Sequence, residues 1–234
     1  MLQYVPKRTL EIKLVLNFAR KTRDWIILSY YRLLTPKSVR QLYNIFSNHP
    51  QGAMIISELD AYRLYRHVRV NRFSKCLEFG TGIGTSSAFI AAAMQHNAKG
   101  SIVSLEQLPE MVKTAETLIP EPYKSRIQII HSDVQLETYF ERQWSCYLQL
   151  SQNDVGEGFD FVIVDGPMFS NKEKIIYPNG DLIKLLPNLK TGCSIYIDGR
   201  VETRNLLISN FPGVLEIKGG WRGRPLLTKI QQAT

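Results

Sequence analysis

Between Glu78 and Ser86 the chain reads Glu-Phe-Gly-Thr-Gly-Ile-Gly-Thr-Ser. Three glycines at alternate positions, Gly80, Gly82 and Gly84, allow a sharp turn and let a ligand approach the backbone with no Cβ in the way. A helix-compatible run over 86–95 follows at once. Several amide N–H groups therefore converge at a helix N-terminus, which suits electron-rich ligand groups. Glu78, two residues before the first glycine, would repel a pyrophosphate but suits a ligand carrying an ammonium group. A dinucleotide fingerprint, G-x-G-x-x-G/A, would need its third glycine where Thr85 stands. Four more acids, Glu106, Asp133, Asp165 and Asp198, end predicted strands. Asp165 and Asp198, on neighbouring strands, could share a divalent cation through oxygen ligands, and Asp165 alone could take a proton from a hydroxyl.

Such residues need a scaffold that brings strand ends together. From Lys75 the apolar pattern alternates between strand and helix. It predicts strands at 75–80, 101–105, 126–131, 159–164, 193–197, 213–217 and 225–230, with helices at 84–97, 108–119, 134–150, 172–186 and 200–209. Continuous apolar strands such as Phe161-Val-Ile-Val and Ser194-Ile-Tyr-Ile read as buried on both faces, as a parallel sheet requires. The last two segments, split by Gly219-Gly220, predict an antiparallel hairpin at the sheet edge. The expected fold is α/β, a doubly wound, seven-stranded, mostly parallel sheet preceded by an N-terminal helical extension. In such sheets ligands sit outside the carboxyl ends of the strands, where these acids collect. Upstream, helices are predicted over 9–34, 38–47 and 57–70, the last capped by Ser57.

The net charge of +8 is unevenly placed. Residues 1–72 hold 13 Lys and Arg against 4 Asp and Glu, and residues 73–234 hold 16 against 17. Basicity thus belongs to the N-terminal segment, and the reading divides the chain into 1–72, a lid or oligomer contact, and 73–234, the ligand-binding domain. Three cysteines, Cys76, Cys146 and Cys193, have neither zinc-site nor disulfide-framework spacing and suit a reducing compartment. The start lacks an apolar signal core and no run approaches membrane-spanning length, so the expected location is cytoplasmic.

The string Glu78-Phe-Gly-Thr-Gly-Ile-Gly resembles motif I of the class I S-adenosylmethionine-dependent methyltransferases, and the strand order matches over about 55–230. The resemblance implies S-adenosylmethionine as cofactor, held by Glu78, Gly80, Thr81, Gly82, Gly84, Thr85 and Ser86. It places the ribose hydroxyls on Glu106 beside Gln107, the adenine at Ser132 and Asp133, and the methyl-transfer centre at Asp165. The Asp165/Asp198 pair looks like the Mg²⁺ site of small-molecule O-methyltransferases of the catechol and sugar-modifying types. The catechol type continues with Asn where this chain has Gly199. The implied activity is methylation of a hydroxyl on a small molecule or glycan, with Asp165 as catalytic residue. An RNA or protein methyltransferase and a non-catalytic subunit of the same fold are the alternatives. The chain lacks the N/D-P-P-Y/F motif of amino-methylating enzymes and any stacked-aromatic RNA module, which speaks against nucleic acid. The 9–34 helix is expected to pack on the main domain or a second copy in a homo-oligomer, with peripheral membrane contact as the other reading.

Overall fold

The computed structural model describes residues 7–52, 55–148, 158–168, 176–221 and 224–230. Three helices come first: α1 (Lys7–Leu34), α2 (Lys37–Ser47) and α3 (Glu58–Asn71). The α/β body follows with β1 (Lys75–Phe79), α4 (Thr85–His96), β2 (Ser101–Glu106), α5 (Pro109–Leu118), α6 (Glu121–Lys124) and β3 (Ile127–His131). It continues through β4 (Val134–Tyr139), β5 (Arg142–Tyr147), β6 (Phe161–Val164), α7 (Asp181–Leu185), β7 (Ser194–Ile197), α8 (Val201–Asn210), β8 (Leu215–Trp221) and β9 (Arg224–Lys229).

Seven strands form one sheet in the order β3-β2-β1-β6-β7-β9-β8. β1, β2, β3, β6 and β7 pair in parallel, and β9 runs antiparallel to both β7 and β8. Order reverses between β1 and β6, which opens the crevice at their carboxyl ends. The sequence dictates this burial because residues of β1 alternate between two cores. Cys76 joins Ile102, Phe161 and Ile163 beneath α2, α3 and α4, whereas Leu77 and Phe79 join Val103, Val162 and Val164 beneath α7 and α8. Val39, Leu42, Phe46, Ala61, Leu64 and Val68 belong to the first core, so the charge boundary near residue 72 is not a packing boundary.

One element departs from the sequence expectation. The helix predicted over 134–150 is instead an antiparallel hairpin, β4–β5, as far as the described residues run. Its two-residue turn, Phe140-Glu141, has φ of 51° and 57°. Those are type I′ values, but without the Asn-Gly signature that would have announced a hairpin. Asp133 therefore precedes a strand and caps no helix. In the edge hairpin, Gly219 and Gly220 lie inside β8, with a bulge between Ile217 and Gly220, and do not form the turn. Of the helix predicted at 172–186, residues 172–175 lie outside the described residues, and 176–180 are not helical, with Asn179 in an isolated bridge to Ser145. Helix begins only at α7, followed by a short 3-10 turn, Leu186–Asn188.

The hairpin makes a signed prediction. Glycine at position 141 relieves a left-handed backbone, worth about 1 kcal/mol, whereas glycine inside a helix would cost about 1 kcal/mol relative to alanine. Glu141→Gly is thus expected to raise the melting temperature by a few degrees; a fall would contradict the hairpin.

Candidate active site

The loop after β1 is stitched to both neighbouring strands. Leu105 O accepts the Gly80 and Thr81 amides at 2.9 and 3.2 Å, and Phe79 O accepts the Asp165 and Gly166 amides at 2.8 and 2.6 Å. These bonds press the loop against the end of β6. A Cβ built on Gly80 would fall 2.6 Å from Gly166 N, and one on Gly166 would fall 2.6 Å from Gly80 Cα. Gly82 is different: at φ +52° its missing Cβ would meet nothing within 4 Å. So Gly80 is small because the backbones touch, and Gly82 because the space above it is open.

That space is a cavity of about 240 Å³. Its wall brings together Gly80, Thr81, Gly82, Thr85, Ser86, Glu106, Gln107 and Asp165, eight of the residues singled out from sequence. Glu106 anchors the loop as much as it faces the cavity: Oε2 accepts the Gly82 amide at 2.7 Å, and Oε1 accepts the Gln107 and Leu108 amides at 2.9 and 3.0 Å. A carboxylate has about four acceptor positions, so one remains for a ligand hydroxyl. The Gln107 side chain exchanges two 3.1 Å bonds with the Met168 backbone, Nε2 donating to O and Oε1 accepting from N. It straps the β2 end to the loop after β6. Thr85 Oγ1, at the start of α4, is buried without a partner.

The other residues singled out lie outside the wall. Glu78 is fully buried beneath the loop, and its Oε2 accepts the Ser87 hydroxyl in a short bond and the Ser104 hydroxyl at 2.7 Å. Ser104 in turn meets Thr81 Oγ1 at 2.6 Å. Burial pushes the Glu78 carboxyl up, opposed by the hydroxyls of Ser86, Ser87 and Ser104. Its reach into the cavity therefore runs through Thr81 and the serines. Gly84 backs onto Ala115 and Ile119. Ser132 is buried with its amide on Glu106 O, and Asp133 is exposed, its carbonyl taking the Leu148 amide. Asp198 ends β7, where Tyr196 OH donates to its Oδ1 at 3.3 Å. Among the described residues no group of three or more His, Cys, Asp or Glu side chains could hold a metal ion. The two aspartates stand at the ends of the paired strands β6 and β7, with Gly199 after the second. A fixed cation also stands there, since Arg200 donates through Nη2 to Asp165 O.

Three further residues, Tyr147, Asn179 and Asp181, shape the cavity. Tyr147, at the end of β5, stacks on Phe79 with ring centroids 6.1 Å apart. Its hydroxyl lines the cavity beside Gly166 and is buried with no hydrogen-bond partner. Burial, then the carboxylates of Glu106, Asp181 and Asp165, push this phenol well above its usual pKa, so it stays a donor. Asn179 is fully buried and donates through Nδ2 to Gly166 O at 2.5 Å and Asp181 Oδ2 at 2.8 Å. Asp181 Oδ1 accepts the Tyr147 amide at 2.9 Å, and burial pushes its carboxyl up to about 7 against those donors. Asn179 and Asp181 thus fix Tyr147 and Gly166, two parts of the cavity wall. No sequence signal reached Tyr147, because it lay inside the segment read as a helix.

Sheet order and cleft are those of the Rossmann-like class I methyltransferases. Residues 77–199 match the family described as a methyltransferase domain, more than half of the chain, and the protein belongs to that family. Among solved structures, it resembles the methyltransferase PaMTH1 of Podospora anserina, crystallised with S-adenosylhomocysteine, at 12% identity, TM-score 0.65 and full coverage of both chains. A putative caffeoyl-CoA O-methyltransferase of Staphylococcus aureus is similar at 15% identity and TM-score 0.60, covering 89% of this chain and 99% of that one. The O-methyltransferase TomG of Streptomyces achromogenes, solved with S-adenosylmethionine, matches at 16% identity and TM-score 0.56, covering 88% and 96%. No curated protein matches the sequence.

The two glycines are expected to fail differently. Gly80→Ala forces backbone against backbone and should abolish cooperative unfolding in a thermal melt. Gly82→Ala should retain the fold, losing only about 1 kcal/mol for a left-handed non-glycine residue.

Proposed function

We propose that the protein transfers a methyl group from S-adenosylmethionine to a hydroxyl oxygen of a small molecule or glycan. One observation carries this reading: the glycine loop, Glu106 and Asp165 line a single cavity, an ammonium-tolerant loop at its centre and a strand-end carboxylate on either side. Glu106 receives one ribose hydroxyl with its remaining acceptor position. The unpartnered Thr85 hydroxyl, at the N-terminus of α4, suits the carboxylate of the cofactor's amino acid end. Gly82 leaves room for the chain between them.

The bound cofactor supplies an activated methyl group on sulfonium. The protein's part is to position the acceptor in line and to remove its proton. Asp165 is exposed at the end of β6 and suited to take that proton from the hydroxyl. Arg200 holds the Asp165 carbonyl, and the Phe79 carbonyl holds its amide, so the carboxylate projects from a fixed backbone. Tyr147 donates its proton to an acceptor atom of the ligand, relieving a buried hydroxyl that otherwise costs about 1–3 kcal/mol. The O-methyltransferases of similar fold support oxygen as the acceptor atom.

Calorimetry with S-adenosylhomocysteine is expected to give a dissociation constant of roughly micromolar order, equivalent to about 8 kcal/mol. Gly82→Val should eliminate that binding, and Tyr147→Phe should weaken it about fivefold, the loss of one neutral hydrogen bond of about 1 kcal/mol. Absence of binding to the wild type would refute the reading. Once an acceptor is in hand, Asp165→Asn should bind cofactor within a few fold of wild type yet lose roughly two to four powers of ten in turnover. Undiminished turnover would remove Asp165 from the chemistry.

A further inference from the structure

The outer side of α1 carries a stripe that the body of the protein does not use. Ile26, Tyr30 and Leu33 recur at i, i+4 and i+7, with Trp25 beside them. Leu33 is 85% exposed, Trp25 66%, Ile26 56% and Tyr30 55%. The inner side is anchored, which fixes the rotation of the helix. Leu28 and Tyr31 pack against the core, and the Arg32 guanidinium makes a two-point bond to the Glu58 carboxylate, Nε to Oε1 at 2.9 Å and Nη2 to Oε2 at 2.5 Å.

At its C-terminal end the stripe runs into a second cavity, of about 310 Å³. Leu34 and Val70 form its exposed apolar rim, and Arg66, Arg69, His96 and Tyr65 lie within its wall. Among the described residues no Asp or Glu lines it. Arg69 is held by a neutral partner, Nη1 donating to Asn97 Oδ1 at 2.5 Å, and Tyr65 OH meets His96 Nδ1 at 2.9 Å. Burial, then the Arg69 charge, hold the His96 imidazole below its ordinary pKa.

An apolar stripe bordered by Lys21 and Arg23 and ending at paired guanidiniums needs an occupant that is apolar and anionic at once. A second copy would bring the same basic face, within a segment carrying 13 Lys and Arg against 4 acids, against itself. Among the described residues no helix is long and apolar enough to cross a membrane, so insertion across it is not the mode. We propose that this face docks on an anionic phospholipid bilayer, with the α1 stripe in the headgroup boundary and a lipid phosphate seated between Arg66 and Arg69. The stripe supplies area and the guanidiniums supply charge selectivity.

The test is co-sedimentation of the full chain with phosphatidylcholine vesicles, with and without phosphatidylglycerol. Binding is expected only to the phosphatidylglycerol vesicles and should fall about tenfold or more as salt screens the charges. The double variant Ile26→Asp, Leu33→Asp should lose it about tenfold or more, and Arg66→Glu several-fold, with melting temperature and S-adenosylhomocysteine affinity unchanged in both. Wild-type protein that ignores phosphatidylglycerol vesicles would overturn the proposal. So would a solution dimer that the double variant dissociates while vesicle binding persists, or tighter binding to RNA than to the vesicles.

Discussion

The contact on which the site depends is the one between Gly80 and Gly166. Two strand ends that diverge by sheet twist are brought into backbone contact there, with no side chain between them. Phe79 O holds the β6 side through two amides, and Leu105 O holds the loop on the other side. Because the floor is backbone, neither residue can move without breaking sheet-end hydrogen bonds. The polar groups above it therefore keep fixed separations, which is what positional catalysis requires.

Beneath that floor lies a buried polar network on each face of the sheet. On one face Glu78, Ser87, Ser104 and Thr81 form a buried chain of hydroxyls around a carboxylate. On the other, Asn179 and Asp181 tie Gly166 O to the Tyr147 amide. Buried carboxylates are costly unless hydrogen-bonded, and a half-satisfied polar network is worse than an apolar core. Both networks are nearly complete: Glu78 Oε1 is an unpartnered atom within them, while Tyr147 and Thr85 direct their unmet hydroxyls at the cavity.

Much of this was legible in the sequence. The strand–glycine–helix stretch at 75–87 and the acids at 106 and 165 sit where their spacing puts them, because parallel strands of continuous apolar residues admit little else. The hairpin at 134–147 was not legible. Its period-two alternation is weak, and its turn uses Phe140 and Glu141 where a glycine would have signalled it. Missing the hairpin meant missing Tyr147. The roles within the glycine motif were also hidden, since sequence gives three equivalent glycines. Only packing distinguishes Gly80, pressed on backbone, from Gly82, facing open space, and from Gly84, against Ala115 and Ile119. Asn179 fell within the helix predicted at 172–186, which hid its two buried acceptors, Gly166 O and Asp181 Oδ2.

The central claim is that one cavity, floored by Gly80 and Gly166 and walled by Glu106, Tyr147 and Asp165, is the cofactor site. Amide hydrogen exchange on the full chain, with and without saturating S-adenosylhomocysteine, tests it directly. Protection is expected in peptides spanning 79–87, 105–109 and 145–148, with little change in α1 or around Arg66 and Arg69. Saturable binding that protects other segments and leaves the 79–87 loop unchanged would contradict the account.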